Sequence, residues 1–596
     1  MRSEPVKDDE LPPALASMRR LLQIGWVNEK RLLAVAVSLS IAASLPDALL
    51  ALWLKVLGQG ALHHDRSQVL LAGLGLGVST TLTWLLKVLS ERAGRRFRDR
   101  IAIALEAHVA NLQATVTTIA HQERPELLDR LQVLRTQTFV LDHLYFSLFS
   151  MLGWVVRLGV TAALLVSVHP ALLLLLVAAV PTVLASNSRP AVERAVEEAA
   201  APDQRMASHL YATVTTAAPG KEVRVTGLGP QLAAMRRQSY DRYYAPIAHA
   251  RNVTAAYNVL GWAFFGIAYV LGIVWVSDGL HRPPGDVLLV LAAGGRLSSY
   301  VAASINELSF LKGIWLDGSR RLVWLERYAA SLTATADQPV PPSLGEGIRL
   351  TDVSFAYPGT DRLVLEDVNL VLPAGAVIAI VGENGAGKST LVKLICKLYE
   401  PTAGSITVDG QPLARMDASQ WRQRISGAFQ DFAKLEFELQ RSVGLGDVPR
   451  VDDPVAVTAA VSRAGATDVV DRLPAGLETQ LGATWPAGVD LSIGQWQKVA
   501  LSRGFLRDDP LLLVLDEPTS ALDAETEHAL FERYAAAHAT DAITLLVSHR
   551  FSTVRMADLI VVLDGARVAE VGSHEELMAR SGPYAELYTI QADAYR

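Results

Sequence analysis

Long apolar runs fill the first half of the chain and give way to shorter, alternating segments in the second. They lie near residues 32–58, 68–89, 145–167, 170–187, 257–277 and 285–307. A helix needs about 20 apolar residues to cross the hydrocarbon of a bilayer. The pattern therefore predicts six spanning helices, and so many apolar runs in one half of a chain argue against ordinary buried core helices. Only His169 and Pro170 separate the third from the fourth, which predicts a tight outer turn. Residues 90–143 and 190–255 are polar but keep helical periodicity, and they are too long for plain connectors. The spanning helices are expected to continue well beyond the bilayer. Residues 331–347 are rich in Ser, Thr, Ala, Pro and Gly and include Val340-Pro341-Pro342, a composition that suits a boundary. Beyond it, short β-rich runs such as Val377-Ile378-Ala379-Ile380-Val381 alternate with helical stretches, an α/β pattern. The expected organisation is an N-terminal segment (1–30), an all-α membrane domain (31–330), a linker (331–345) and a C-terminal α/β domain (346–596).

Composition agrees with a membrane setting. Hydrophobic residues make up 50% of the chain and charged residues only 19%, against about 25% charged in ordinary soluble domains. A net charge of −6 gives no reason to expect a nucleic-acid partner. The one cysteine, Cys396, excludes an intrachain disulfide and reads as a small buried residue. The first thirty residues mix charges of both signs and lead into no short apolar core with a cleavage site, so they are expected to be retained. Arginines 92, 95, 96, 98 and 100 follow the second run, and Arg189, Arg194, Arg205, Lys221 and Arg224 follow the fourth. The opposite loops hold little beyond Arg66 and Arg282. Positive charge stays inside, so both termini and the α/β domain are expected on the cytoplasmic side of the cell membrane.

The α/β domain carries the chemistry. After the run at 377–381 comes Gly382-Glu383-Asn384-Gly385-Ala386-Gly387-Lys388-Ser389-Thr390 and then a helical stretch. This is the phosphate loop G-x-x-x-x-G-K-[ST] in its strand–loop–helix setting. Glycines let backbone N–H groups converge on phosphates, and the helix N-terminus adds positive potential. Lys388 is expected on the β- and γ-phosphates of ATP, and Ser389 on Mg²⁺. The apolar run Leu511–Leu515 ends in Asp516-Glu517. A strand buried on both faces delivers two carboxylates to its C-terminal end, where α/β sheets bind ligands. Asp516 is expected to hold Mg²⁺, and Glu517 to orient or deprotonate the attacking water.

With these residues in place the chain resembles the ABC transporters. Leu491-Ser492-Ile493-Gly494-Gln495 is similar to that family's signature sequence. Tyr357 resembles the aromatic that stacks on adenine, and Gln430 the glutamine that senses Mg²⁺ and the membrane domain. Ser520-Ala521-Leu522-Asp523 resembles the D-loop, and His549 the switch that reads the γ-phosphate. The six-span domain is similar to the exporter type, so the resemblance covers the whole chain. It implies an ATPase coupled to transport by alternating access, with Glu517, His549, Gln430 and Lys388 serving catalysis. It also implies that Ser492, Gly494 and Gln495 face the γ-phosphate held by a second ATPase domain. A chain with one such domain is then a half-transporter that pairs with another, more readily a copy of itself than a different chain. An importer on the same fold, for example for a siderophore, and an ATP-gated channel are the alternatives. The resemblance further places coupling helices near 113–122 and 209–219.

Two departures from the family pattern stand out. Ile493 replaces the usual signature glycine and is expected to disturb a tight turn. Leu481-Gly482-Ala483-Thr484-Trp485-Pro486 lacks the usual acidic character. The substrate is not legible, but Asp47, Arg157 and Arg296 fall inside spans, each roughly 15–20 Å from the outer end at 1.5 Å per residue. Ionisable groups there usually face a cavity or a partner. The expectation is that one arginine pairs with Asp47 and the other stays free for an acidic group on the substrate.

Overall fold

The computed structural model describes residues 11–594, apart from 125–126, 129–130, 132–133, 135–138, 312–315, 333–335, 518–540 and 549. The chain folds as two compact units. The first holds residues 1–114 and 129–327; the second holds 115–128 and 328–596.

The first unit is helical. Five helices are long and apolar enough to cross a bilayer: Ala14–Leu62, Arg66–Thr115, His143–Val168, Gly229–Gly279 and Pro284–Leu308. The helix Arg66–Thr115 has 50 residues, about 75 Å at 1.5 Å per residue, far more than a bilayer core of about 30 Å needs. Its polar half still packs on one stripe. Phe97, Ile101, Leu105 and Val109, four apart, are all buried, as one face of a helix requires. The helix Ala14–Leu62 bends at Glu29, whose backbone is non-helical. Glu29 accepts from Arg100 at 2.9 Å. Along the apolar segments, Leu70, Leu74, Val78, Leu260, Ile267 and Leu271 stay exposed, the surface that hydrocarbon covers in a multi-pass membrane protein.

The fourth expected span, 170–187, is not one helix. It begins as a 3₁₀ turn at Pro170–Leu173, continues as the short helix Leu174–Ala178, and restarts as Val180–Thr215. Proline explains both breaks. Pro170 starts the 3₁₀ turn, capped by His169 Nδ1, which accepts from the Ala171 N–H at 3.1 Å. Pro181 has no N–H to continue a ladder and sits at the start of the next helix. Residues 209–219 lie in the first unit at a further break, where Thr216 separates Val180–Thr215 from Ala217–Thr226.

The second unit is built on two sheets. Strands β1 (Gly347–Ala356), β2 (Leu363–Pro373), β4 (Ala403–Val408) and β5 (Gln411–Pro412) form an antiparallel sheet ordered β2-β1-β4-β5. Strands β3 (Val377–Gly382), β6 (Ile425–Ala428), β7 (Leu512–Asp516), β8 (Ile543–Val547), β9 (Leu559–Asp564) and β10 (Arg567–Gly572) form the other, ordered β10-β9-β3-β8-β7-β6. Only β10 runs antiparallel. All five residues of β7 and of β8 are buried, as a central parallel strand covered on both faces must be. Cys396 lies in the core between the sheets, where burial pushes its thiol up to about 12, so it stays protonated and inert.

The segment 115–128 belongs to this second unit although the sequence carries it between apolar helices. Ala120 joins the sheet core. The Ile119 N–H donates to Leu398 O at 3.3 Å. Glu123 pairs with Lys393 at 2.8 Å and accepts from the Tyr399 hydroxyl, and Arg422 donates to Thr117 O. The first of the two expected coupling positions is thus anchored on the helix that follows the phosphate loop. Replacing Glu123 by alanine is expected to cost about 0.5–1 kcal/mol, the worth of a half-exposed pair. A Glu123→Ala protein that melts with the wild type would show that the pair adds nothing to this anchor.

Candidate functional site

Register fixes the site. Ile380 of β3 and Asp516 of β7 both stand opposite Val547 of β8. The end of β3, which opens the phosphate loop, and the end of β7, which carries the two carboxylates, therefore share one sheet edge. The helix Lys388–Ile395 starts directly after the loop, so its N-terminus points its unpaired N–H groups at the same place.

The loop is shaped for an anion. Gly387 has φ +100, and a Cβ there would meet Leu365 Cδ2 at 2.7 Å and Val364 O at 2.8 Å. Gly385 has φ +87 and faces open space. Only glycine suits both positions. Lys388 Nζ donates to Gly382 O and Glu383 O, both at 2.9 Å, so the lysine folds across its own loop. Burial holds its ammonium below the ordinary lysine range, while the carboxylates of Glu517 and Asp516 pull it back up.

The two carboxylates differ in setting. Asp516 is 7% exposed, and its Oδ1 is buried without a hydrogen-bond partner. Burial raises its carboxyl above the usual range, and the charge of Glu517 adds to this. The Ser389 hydroxyl and Lys388 oppose both effects. Glu517 follows the strand with φ 45, a left-handed conformation that costs a non-glycine residue about 1 kcal/mol or more. Its N–H donates to Val547 O at 2.9 Å.

A cavity of about 730 Å³ opens beside the loop, lined by Glu383, Asn384, Gly385 and Ala386 on one side and by Tyr357 on the other. Tyr357 is held in place. Its hydroxyl bonds Thr390 Oγ1 at 2.9 Å, and its ring meets Phe355 and Tyr399 edge-on, with centroids at 5.0 and 5.4 Å. Thr390 therefore positions the tyrosine. The cavity also reaches Thr360 and Arg362, which motif reading did not single out. Their signal was the polar turn Gly359-Thr360-Asp361-Arg362, directly after Tyr357 and between two strands. Replacing Tyr357 by alanine is expected to weaken ATP binding about tenfold, the worth of a stacked aromatic at 1–3 kcal/mol, with phenylalanine retaining most of it. Equilibrium binding of a fluorescent ATP analogue reads this directly, and an unchanged affinity in the alanine variant would remove the ring from the site.

The other expected residues lie apart from that cavity. Gln430 is exposed, two residues beyond β6, which ends at Ala428. Its neighbour Asp431 is near enough to Asp516 to raise that carboxyl further. Ser492 caps the helix Ile493–Gly504 in a capping box. Its hydroxyl accepts from the Gln495 N–H at 3.3 Å, and Gln495 Oε1 accepts from the Ser492 N–H at 2.9 Å. Ser492 is exposed, and Gly494 sits in the first turn of the same helix. This corrects the expectation for Ile493. It is the first helical residue, 67% exposed, with no left-handed φ, so the turn tolerates it. Residues 481–486 are held by Glu436, whose Oε2 accepts from Trp485 Nε1 at 3.0 Å and Thr484 Oγ1 at 3.1 Å. A carboxylate from the loop after Gln430 thus reaches into a segment that carries none of its own. Asp523 and His549 lie outside the described residues.

The expectation for the intramembrane charges also needs correction. Both arginines, not one, meet Asp47: Arg296 Nη1 donates to Oδ1 at 2.8 Å, and Arg157 Nε lies 3.4 Å from Oδ2. Neither is free, because a lone carboxylate in an apolar setting gathers every cation in reach.

Comparison with known proteins follows the same lines. Residues 365–520 match the family model described as ABC transporter. The chain is 32% identical over 419 residues to ABC transporter B family member 26, chloroplastic, of Arabidopsis thaliana, covering 67% of this chain and 56% of that one. It is 34% identical over 384 residues to an ATP-dependent lipid A-core flippase of Alkalilimnicola ehrlichii, covering 62% of each. It is 32% identical over 304 residues to the nisin transport ATP-binding protein NisT of Lactococcus lactis, covering 51% and 50%. The matched part thus spans between half and about three-fifths of these relatives. A solved bacterial Atm1-family ABC exporter with ATP bound has the same fold, with TM-score 0.68, 23% identity, and coverage of 97% of this chain and 99% of that one.

Proposed function

We propose, from the premise that the chain carries an ABC transporter ATPase domain on an ABC exporter fold, that it hydrolyses ATP to move a substrate outward across a membrane, working as a pair of identical chains. The observation that carries this is the shared sheet edge where the glycine loop, Lys388, Asp516 and Glu517 meet beside the cavity edged by Tyr357. Tyr357 offers its face to adenine. The loop N–H groups and Lys388 take the phosphates, and Lys388 exchanges its two carbonyl acceptors for phosphate oxygens. A buried carboxylate with an unpaired oxygen, next to a serine hydroxyl, is a hard-oxygen donor set that suits Mg²⁺. Asp516 and Ser389 would hold that ion, with Gln430 beside them, and when bound it supplies charge neutralisation on the phosphates. Glu517, fixed at the strand end, orients a water and accepts its proton.

Ser492, Gly494 and Gln495 stand at an exposed helix N-terminus away from this cavity. Such an end attracts anions, and in this reading it completes the site of the other chain. ATP then favours the closed pair because it touches both chains only when they meet, and that differential affinity drives the change of access. By resemblance, Asp523 serves as the D-loop residue and His549 as the switch that reads the γ-phosphate. The arginine-rich ends of the apolar helices keep the ATPase domain on the cytoplasmic side.

The test is ATP turnover by the purified protein in sealed vesicles, with Glu517→Gln as control. The expected result is Mg²⁺-dependent hydrolysis and, with it, uptake of a fluorescent amphiphile into inside-out vesicles. Hydrolysis that persists in the control, or accumulation that needs no ATP, would refute the reading.

A further inference from the structure

The first unit contains a second cavity, of about 830 Å³. Its lining combines charge with aromatic surface. Lys87, Arg95, Arg98 and Arg157 face two carboxylates, Asp47 and Glu91, so cations exceed anions by two. Lys87 makes no ion pair among the described residues. Arg98 lies over the Phe146 ring at 5.0 Å and Arg157 over the Trp154 ring at 4.5 Å. Two donors, Arg98 Nε and Arg157 Nε, are buried without a hydrogen-bond acceptor. Buried donors are rarely left unmet, and a charged one is costly to strand. The missing chemistry is an acceptor, and the excess of positive charge asks for an anionic one.

Asp47 explains how such a site stays folded when empty. Its Oδ1 accepts from Arg296 at 2.8 Å, and its Oδ2 accepts from the Tyr300 hydroxyl at 2.8 Å. Arg157 touches Oδ2 only at 3.4 Å, without an aligned hydrogen bond. Removing Arg157 from Asp47 leaves that carboxylate with both of its good donors. Arg157 is therefore the partner that can be taken over.

We propose that this cavity binds an amphiphilic anion, an apolar body bearing a phosphate or carboxylate headgroup, and that Asp47 is an internal counter-ion from which the headgroup draws Arg157. The apolar body lies along Phe146, Phe149 and Trp154, while the headgroup takes the unmet donors of Arg157 and Arg98. This rests on the transport reading above and names the substrate class for it.

The test uses the full-length protein in phosphatidylcholine nanodiscs. Four single-chain probes below their micellar concentrations are compared: dodecyl phosphate, dodecanoate, dodecyl maltoside and dodecyltrimethylammonium. Binding is read as a shift in apparent melting temperature without ATP, and separately as a change in ATP turnover. One or both acids should act at concentrations about tenfold below the other two probes, the worth of one charge-assisted hydrogen bond; whichever acid acts names the headgroup. Inorganic phosphate alone, lacking the body, should produce no shift at those concentrations. Arg157→Gln should raise the effective concentration about tenfold, Arg157→Lys should restore part of it, and Asp47→Asn should lower it. Should Arg157→Gln not fold, the paired Asp47→Asn/Arg157→Gln variant removes both charges and is expected to lose the preference for acids. Four probes acting alike, or a folded Arg157 variant with the wild-type response, would overturn the proposal. A wild type that binds the acids but hydrolyses no ATP would instead sink the transport reading, so the two failures are distinguishable.

Discussion

Replacing Glu517 by glutamine is expected to lower ATP turnover by about 10²–10³-fold while leaving ATP affinity within about threefold of wild type. The residue stands one position beyond a strand whose five members are all buried, so its place is set by the sheet. Its φ of 45 is retained because its N–H donates to Val547 O, and glutamine takes the same backbone. Strain of this kind gathers at functional sites. Glutamine also keeps the size and one acceptor of glutamate. What it loses is the ability to take a proton from water, so a fall in rate without a fall in binding isolates that role. The variant should also accumulate as the ATP-bound closed pair, seen as a nucleotide-dependent change in elution volume or protease resistance. Turnover within a few-fold of wild type would move the base elsewhere.

Asp516→Asn should give effects of opposite sign on stability and on activity. The carboxyl of Asp516 is raised in the folded protein, chiefly by burial and then by the charge of Glu517. A raised carboxyl means the native state holds its proton more tightly than the unfolded chain does. The ionised form therefore opposes folding at neutral pH, and this penalty vanishes as pH falls below the unfolded value. Asparagine has no charge to bury, so the nucleotide-free protein should melt a few degrees higher at pH 7, on the order of 2–4 °C for each kcal/mol recovered. The difference should shrink as the pH falls towards the ordinary carboxylate range, because the wild-type carboxyl takes up its proton before an unperturbed one does. Turnover should nonetheless fall by about 10²-fold or more, because one hard anionic donor for Mg²⁺ is gone. The Mg²⁺ dependence of nucleotide affinity should fall with it. A variant that melts lower, or one that keeps Mg²⁺-dependent turnover, would contradict the role assigned to Asp516 Oδ1.

Much of this was readable before the fold, for physical reasons that vary by residue. The glycine loop was legible because few sequences other than a phosphate cradle place Gly385 and Gly387 before Lys388 between a strand and a helix. Asp516 was legible because a wholly apolar run has to be a buried strand, and its end has to meet the sheet edge. Thr360 and Arg362 were not legible, since a polar turn reads as solvent-exposed unless its partner strand is known to border the loop. Pro181 lay in plain view, but an apolar window averages over it, and the break it imposes appears only when the helix is built. The double pairing at Asp47 depends on three helices meeting, which no single-helix periodicity encodes. Ile493 looked disruptive against a family pattern, yet at the first position of a helix any residue with ordinary φ fits, and its side chain simply points outward.

The most direct test of the central claim, that each ATP site is completed by a second chain, mixes two inactive variants. Ser492→Arg keeps its phosphate loop but blocks the exposed helix end, and Lys388→Ala keeps that helix end but loses the loop's cation. Each alone should hydrolyse ATP at under about a tenth of the wild-type rate, the loss expected when one charged contact is removed. Co-assembled in equal amounts, they should regain activity, because a mixed pair contains one intact loop facing one intact helix end. A mixture no more active than the two variants kept apart would contradict the claim, because a site that one chain completes with its own helix end stays broken in both variants however they are paired.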